Sequence, residues 1–146
     1  MIHDQEILDI DFLRSYYIDL DVVDEIYNTA INEKEFSQPG LSGGKIQPEV
    51  KSSFDLRLDD YPRLHEKYML QLQKCLEAYM DDYPWCNNYN PFTTKDFTNI
   101  QRYEPGQGFS AWHTERGGVD PVECNRHLVF MTYGINRLSF LFFVKR

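Results

Sequence analysis

The chain contains little cysteine, and its few cysteines exclude two common kinds of small protein. Cys75, Cys86 and Cys124 are the three present, and no two of them form a Cys-x-x-Cys pair. A set this sparse is not a disulfide framework, and its spacing is not that of a zinc finger. The sequence therefore predicts a reducing environment.

Long apolar runs and clusters of positive charge are also missing. The longest mainly apolar run, residues 138–144, is far too short to span a bilayer, and the first residues lack the pattern of a signal peptide. The formal net charge of −8 disfavours nucleic acids and anionic membranes as partners, because both repel an acidic surface. We therefore expect a soluble cytoplasmic protein with neither kind of partner.

The residues that are present predict one α+β domain over residues 1–146. Hydrophobic residues make up 42% of the chain and aromatic residues 15%, which suits a sheet-rich core. Helical spacing predicts one helix capped by Asp21 and a longer one opened by Pro62. The second helix carries an apolar stripe that we interpret as core, with Cys75 buried in it. From Thr98 onward the pattern is typical of strands.

His113 and Glu115 form the most informative pair in the chain. Residues 109–115 are predicted to be extended, and positions i and i+2 of a strand point to the same face. The two side chains could therefore supply one nitrogen and one oxygen to a single metal ion, for which a third protein ligand is normally needed. His127 is a weaker candidate for that ligand, since its place at the start of a strand favours a structural role.

Four segments surround this pair: Arg102-Tyr-Glu-Pro-Gly-Gln-Gly-Phe109, Trp112-His-Thr-Glu115, Arg126-His-Leu-Val-Phe-Met-Thr-Tyr133 and Lys51-Ser-Ser-Phe-Asp55. Together they resemble the 2-oxoglutarate- and Fe(II)-dependent oxygenases of the prolyl 4-hydroxylase type. In that family a Tyr-x-Pro-Gly-x-x-Phe turn precedes a His-x-Asp pair, and a strand led by Arg follows. Phage and bacterial members with a Lys-Ser-Ser/Thr-x-Asp segment are particularly similar.

The resemblance implies a fold, a reaction and a set of site residues. The fold would be a double-stranded β-helix, a jelly-roll core flanked by the N-terminal helices. His113 and Glu115 would bind Fe(II), while Tyr103 and its face-sharing neighbour Gln101 would contact 2-oxoglutarate, with ascorbate as an optional reductant. Trp112 is expected to pack away from the metal. The reaction would be a hydroxylation coupled to decarboxylation of 2-oxoglutarate to succinate.

Two departures from the family pattern shape the remaining expectations. Glu115 stands where the family usually has Asp. After Tyr133 the family's Gly-Gly-Glu-Thr segment, distal His and cosubstrate-binding Arg or Lys do not follow. We therefore expect the N-terminal and central part of an oxygenase, with residues 134–146 as a non-native apolar tail. Such a chain would be weakly stable, oligomeric or completed by a second chain.

Two other functions can be compared with this one. A non-catalytic binding module that retains the oxygenase scaffold is the main alternative, and it predicts weak or no Fe(II) affinity. A hydrolytic zinc site is disfavoured, because the sequence has no His-Glu-x-x-His motif. The sequence does not identify the substrate.

Overall fold

Two long helices and several small antiparallel sheets make up the protein. The computed structural model describes residues 12–88, 92, 97–115, 121–135 and 138–145. Helices and strands occur together, and the two long helices lie in the first part of the chain. This mixture of helices and antiparallel sheets agrees with the predicted α+β class, and the jelly-roll core stays a prediction.

The first helix begins slightly earlier than its sequence pattern predicts. Strand β1 is Leu13–Tyr16, and helix α1 is Leu20–Asn32 with Asp19 as its N-cap residue. Asp21, the predicted cap, lies instead in the first turn of the helix, where an acidic side chain interacts favourably with the helix dipole. Val22, Val23 and Ala30 are the buried residues of α1.

Helix α2 forms the centre of the core. It spans Pro62–Asp82, and Pro62 stands in its first turn as predicted, where the missing N–H costs no helical hydrogen bond. Among the residues that the structure describes, no helix is long and apolar enough to cross a membrane. The predicted stripe is confirmed, since its buried members are Leu64, Tyr68, Leu72, Cys75 and Tyr79.

Short strands follow α1 and precede α2. They are β2 (Gln38–Pro39), β3 (Leu41–Ser42), β4 (Lys45–Ile46), β5 (Lys51–Ser52) and β6 (Phe54–Arg57). Strands β3 and β4 pair as a hairpin whose turn residues, Gly43 and Gly44, both have positive φ. Strand β2 pairs with β6, so the hairpin projects from the edge of that sheet.

Strands β5 and β6 are separated by Ser53 alone and are together called strand 51–57, on which the candidate site is built. Strand β7 (Asn99–Arg102) pairs with β6, and β8 (Gly108–Phe109) pairs with β5. Arg102 lies opposite Phe54, and Gly108 lies opposite Ser52. The chain therefore advances six residues from Arg102 to Gly108 while strand 51–57 covers only two. The extra residues leave the sheet in a turn with Pro105 followed by Gly106 at φ +85, the pattern of a type II turn.

The second half ends in a sheet that covers α2. Helix α3 (Pro121–Cys124) precedes β9 (Leu128–Ile135) and β10 (Leu138–Lys145), and the sheet order is β1-β10-β9. Leu128 and Phe130 pack against the core, whereas Met131 and Tyr133 on the opposite face are 49% and 40% exposed. This alternation is that of a strand with one face on the core.

Residues 134–146, predicted to be a non-native tail, contribute the central strand of this sheet. All four residues of β1 pair with β10, from Leu13 opposite Val144 to Tyr16 opposite Leu141. Eight residues of β10 pair with β9 on its other side. The non-native origin of the segment stays a prediction, and residues 136, 137 and 146 lie outside the described part of the chain.

Candidate metal centre

His113 and Glu115 lie side by side, as predicted, although not on a strand. His113 Nε2 is 3.2 Å from Glu115 Oε1. Strand β8 ends at Phe109, so the prediction of an extended strand from 109 to 115 is wrong beyond that residue. The segment leaves the sheet after Ser110, whose N–H still donates to Val50 O over 2.9 Å.

The imidazole of His113 has a defined orientation. Its Nδ1 lies 3.1 Å from Ala111 O, and a carbonyl oxygen can only accept, so Nδ1 carries the proton. In a neutral ring, Nε2 then presents a lone pair to the Glu115 carboxylate. Two acceptors at 3.2 Å repel unless a cation lies between them, either a proton on Nε2 or a metal ion.

The separation of the two groups fits a shared metal ion. Nitrogen and oxygen ligands bound at about 2.1 Å and at a right angle are about 3 Å apart. A hydrogen bond donated by one imidazole nitrogen leaves the other nitrogen to bind metal, and here Nδ1 donates to Ala111 O and leaves Nε2 available. This arrangement is compatible with two neighbouring positions of a facial site.

A guanidinium group contacts the same carboxylate. Arg126 NH1 lies 3.5 Å from Glu115 Oε2 and donates to Glu115 O over 3.0 Å. It thus occupies the carboxylate oxygen that does not face His113. A positive charge here reduces the attraction of the site for a metal ion, and it also fixes the position of Glu115.

No third ligand joins the pair among the residues that the structure describes. Groups of three or more His, Cys, Asp or Glu side chains suited to a metal ion are absent from that part of the chain. His127, the weaker candidate, packs against Phe92 edge to face with ring centroids 4.5 Å apart. Its environment is that of a packed histidine beside a strand.

Gln101, in β7, and Tyr103, just after its end, form a second polar pair. Tyr103 Oη donates to Gln101 Oε1 over 3.0 Å, and the two residues share a face as predicted. Burial raises the pKa of Tyr103, and the negative charge of Asp55 raises it further, whereas a hydrogen bond with Ser53 lowers it. Tyr103 therefore stays protonated at neutral pH and is available as a hydrogen-bond donor.

A buried ion pair beneath these residues was not predicted as part of a site. Lys51 Nζ is 2.8 Å from Asp55 Oδ2, and their side chains are 4% and 15% exposed. Ser53 Oγ donates to Asp55 Oδ1 over 2.7 Å, so both carboxylate oxygens have partners. Alternation along strand 51–57 places the three on one face, which the Lys-Ser-Ser-Phe-Asp pattern itself could have indicated.

Phe109 connects this ion pair to His113. Lys51 and Phe109 are paired across β5 and β8, and Lys51 Nζ lies 5.9 Å from the centre of the phenyl ring. The imidazole of His113 stacks on that ring, with centroids 4.2 Å apart and planes within 8° of parallel. Phe109 thus links the His113 ring to a buried part of the sheet.

Trp112, expected to pack away from the metal, does not pack against the residues that the structure describes. It is the most exposed large hydrophobic residue described, at 103%. The residue lies in the irregular segment between β8 and His113, so strand alternation does not direct its side chain inward. The packing prediction is therefore wrong for Trp112.

Comparisons with models of protein families, with curated proteins and with solved structures found no match. Function is therefore inferred from the residues of this chain and from their geometry.

Proposed function

We propose that this chain is the metal-binding part of a 2-oxoglutarate- and Fe(II)-dependent oxygenase with a jelly-roll core. One observation carries the proposal. His113 Nε2 and Glu115 Oε1 are 3.2 Å apart, and the imidazole proton on Nδ1 is donated to Ala111 O. Two acceptors this close are stabilised by a cation between them. The resemblance of the surrounding segments to this family favours Fe(II) as that cation.

Each site residue has a defined task in this proposal. His113 and Glu115 hold the metal and leave other coordination positions open for the cosubstrate and O₂. Tyr103 donates its single hydroxyl proton to a 2-oxoglutarate oxygen in exchange for its present 3.0 Å hydrogen bond to Gln101 Oε1, and Gln101 lines the same pocket. Bound iron supplies the oxidative chemistry, in which substrate, 2-oxoglutarate and O₂ become hydroxylated substrate, succinate and CO₂.

The fold is consistent with the early strands of such a core. Residues 99–109 run along strand 51–57, the metal pair follows directly, and β9 returns after α3. The helices pack on one side, as the contacts of Leu128 and Phe130 with the core indicate. In this proposal the third metal ligand and the cosubstrate's carboxylate partner come from outside the described residues or from a second chain.

A non-catalytic binding module is the second candidate, and Arg126 favours it. Its guanidinium group contacts both the side chain and the backbone of Glu115, at 3.5 Å and 3.0 Å. With a proton on His113, the trio His113, Glu115 and Arg126 would form a structural ion-pair corner that requires no metal. The two candidates therefore differ in what lies between Nε2 and Oε1.

Anaerobic titration of the metal-free chain with Fe(II), followed by calorimetry, separates them. We expect saturable binding that is lost in His113→Ala and in Glu115→Gln and is retained in Glu115→Asp, which preserves a carboxylate. His65→Ala is the matched control, because His65 also faces a carboxylate, with Nε2 3.9 Å from Asp59 Oδ1. Succinate formation from 2-oxoglutarate, measured in parallel, tests for turnover.

The results have distinct meanings. Equal Fe(II) binding by the wild-type chain and His113→Ala would contradict the metal site. Weak or absent Fe(II) binding by the wild-type chain would favour the module, whereas saturable binding that is lost in His113→Ala would count against it.

A further inference from the structure

The side chain of His113 is 48% exposed, yet its ring has a fixed orientation. An imidazole on an irregular surface segment can rotate about two bonds, so something must restrict it. The hydrogen bond from Nδ1 to Ala111 O fixes one edge of the ring. The face of the ring lies on Phe109, at 4.2 Å and within 8° of parallel.

Phe109 is itself held in place by strand pairing and by Lys51. It belongs to β8, where it pairs with Lys51, and the Lys51 ammonium lies within cation–π range of its ring at 5.9 Å. Lys51 is buried and neutralised by Asp55 at 2.8 Å, so it cannot move without leaving a carboxylate buried and unpaired. The contacts thus connect the imidazole to an ion pair in the interior of the sheet.

We propose that Phe109, held in place by the buried Lys51–Asp55 ion pair, is the positioning residue that fixes the His113 imidazole with Nε2 toward Glu115. Phe109 touches no reacting group in this scheme and acts only through His113. The use of this orientation in metal binding rests on the proposed function. The orientation itself is a property of the metal-free chain.

Nuclear magnetic resonance of the metal-free chain tests the positioning step directly. With ¹⁵N-labelled histidine, we expect His113 in the Nδ1-protonated tautomer and its ring protons shifted upfield by the Phe109 ring current. Phe109→Leu should abolish the upfield shift and mix the two tautomers, whereas Phe109→Tyr, which keeps the aromatic face, should restore both signatures. An unchanged tautomer ratio in Phe109→Leu would overturn the proposal.

Phe97→Leu is the matched control. Phe97 is also a partly exposed aromatic residue beneath a cation, with the Arg57 guanidinium 4.3 Å from its ring centre, but it does not touch His113. Its replacement should leave the His113 resonances as in the wild-type chain. A tautomer change in this variant as large as that in Phe109→Leu would show a general loss of structure and overturn the assignment to Phe109.

A double variant tests the role of the ion pair. Lys51→Met with Asp55→Asn removes both charges, which avoids a buried unpaired carboxylate and allows the sheet to fold. We expect a partial loss of the tautomer preference, and wild-type behaviour would overturn the part assigned to Lys51 and Asp55. Circular dichroism of each variant verifies that the fold is intact.

The metal readout distinguishes this inference from the proposed function. If Fe(II) binds, Phe109→Leu should weaken binding about 10–100-fold, as loss of a group that orients a ligand does, and Phe109→Tyr should recover it. If the tautomer responds to Phe109 but Fe(II) does not bind, the positioning is correct and the metal function is wrong. If Fe(II) binds equally well to Phe109→Leu, the positioning is wrong and the function stands.

Discussion

Gly40 lies where a single methyl group would disturb the buried polar row beneath the candidate site. A Cβ built there would overlap Ser53 Oγ and approach Lys51 Cε to 2.9 Å and Asp55 Oδ1 to 3.2 Å. Gly40 N–H also donates to Ser53 O over 2.9 Å, so the backbone cannot withdraw without breaking that bond. Glycine is thus required here by close packing and not by its φ angle.

We predict that Gly40→Ala destabilises the protein by about 1–3 kcal/mol, the usual cost of overpacking. Ser53 could rotate away only by losing its 2.7 Å bond to Asp55, so the added methyl group also disturbs the ion pair. The free energy of unfolding in urea measures the effect. Gly108→Ala is the control, because a Cβ there meets nothing within 4 Å, and equal stability of the two variants would contradict the prediction.

For individual residues, the sequence predicted the side chains of the metal pair better than it predicted the residues that hold them in place. The proximity of His113 and Glu115 followed from their spacing alone, even though the segment is not a strand. The roles of Phe109 and Lys51 could not be predicted, because their contact depends on the pairing of β5 with β8 across more than fifty residues of chain. Local patterns contain no information about such a register.

Helix α2 shows which features of an element the sequence determines. Its start was predicted because Pro62 cannot be accommodated in a helix interior, and its buried face followed from the 3.6-residue period. Strand β8 was predicted too long, because Ser110 is the last residue held by strand 51–57 and nothing in the local pattern marks that loss of partner. Helices depend on neighbours in sequence, whereas strands depend on distant partners.

The C-terminal end of α2 carries two acidic residues and no basic one. Carboxylates there oppose the helix dipole, whose negative end lies at the C-terminus. Asp82 is partly compensated by Arg14, at 2.9 Å, whereas Asp81 is exposed. This end of the helix is therefore a place where removing a charge should increase stability.

We predict that Asp81→Asn raises the free energy of unfolding by about 0.3–1 kcal/mol at low ionic strength, with a smaller gain at about 1 M salt. Thermal unfolding followed by circular dichroism measures it. Glu66→Gln removes the same charge near the start of the helix, and its stability should not rise. A similar gain in both variants would assign the effect to the net charge of −8 rather than to the helix dipole.

Over the whole molecule, the core is buried, whereas the side chains of His113 and Glu115 are 48% and 38% exposed. The core surrounds α2 and includes Tyr16, Tyr68 and Cys75. Met131 and Tyr133, on the opposite face of β9 from the core, are partly exposed. Because of this separation, substitutions at His113 or Glu115 should alter binding without unfolding the chain, whereas protonation changes in the core should alter stability as a whole.

Alkaline pH should therefore destabilise the entire fold through its buried acids. Burial raises the pKa of Tyr68 to about 12 and that of Cys75 to about 11, and it raises the pKa of Tyr16 as well. Above pH 9–10 the unfolded chain loses these protons while the folded chain keeps them. The unfolded state is then favoured, so the free energy of unfolding falls as pH rises through this range.

Tyr68→Phe tests this coupling, because it removes the ionisable hydroxyl and also its 2.8 Å hydrogen bond with Thr132. At pH 7 the variant should be less stable than the wild type by about 1 kcal/mol, the usual net value of such a bond. Between pH 9 and 11 the difference should shrink, since the variant has one fewer proton to lose on unfolding. Urea unfolding at several pH values measures both curves.

Tyr27→Phe, at a position 56% exposed on α1, is the control and should follow the wild type. Parallel curves for Tyr68→Phe and the wild type would show that Tyr68 does not carry the alkaline loss of stability.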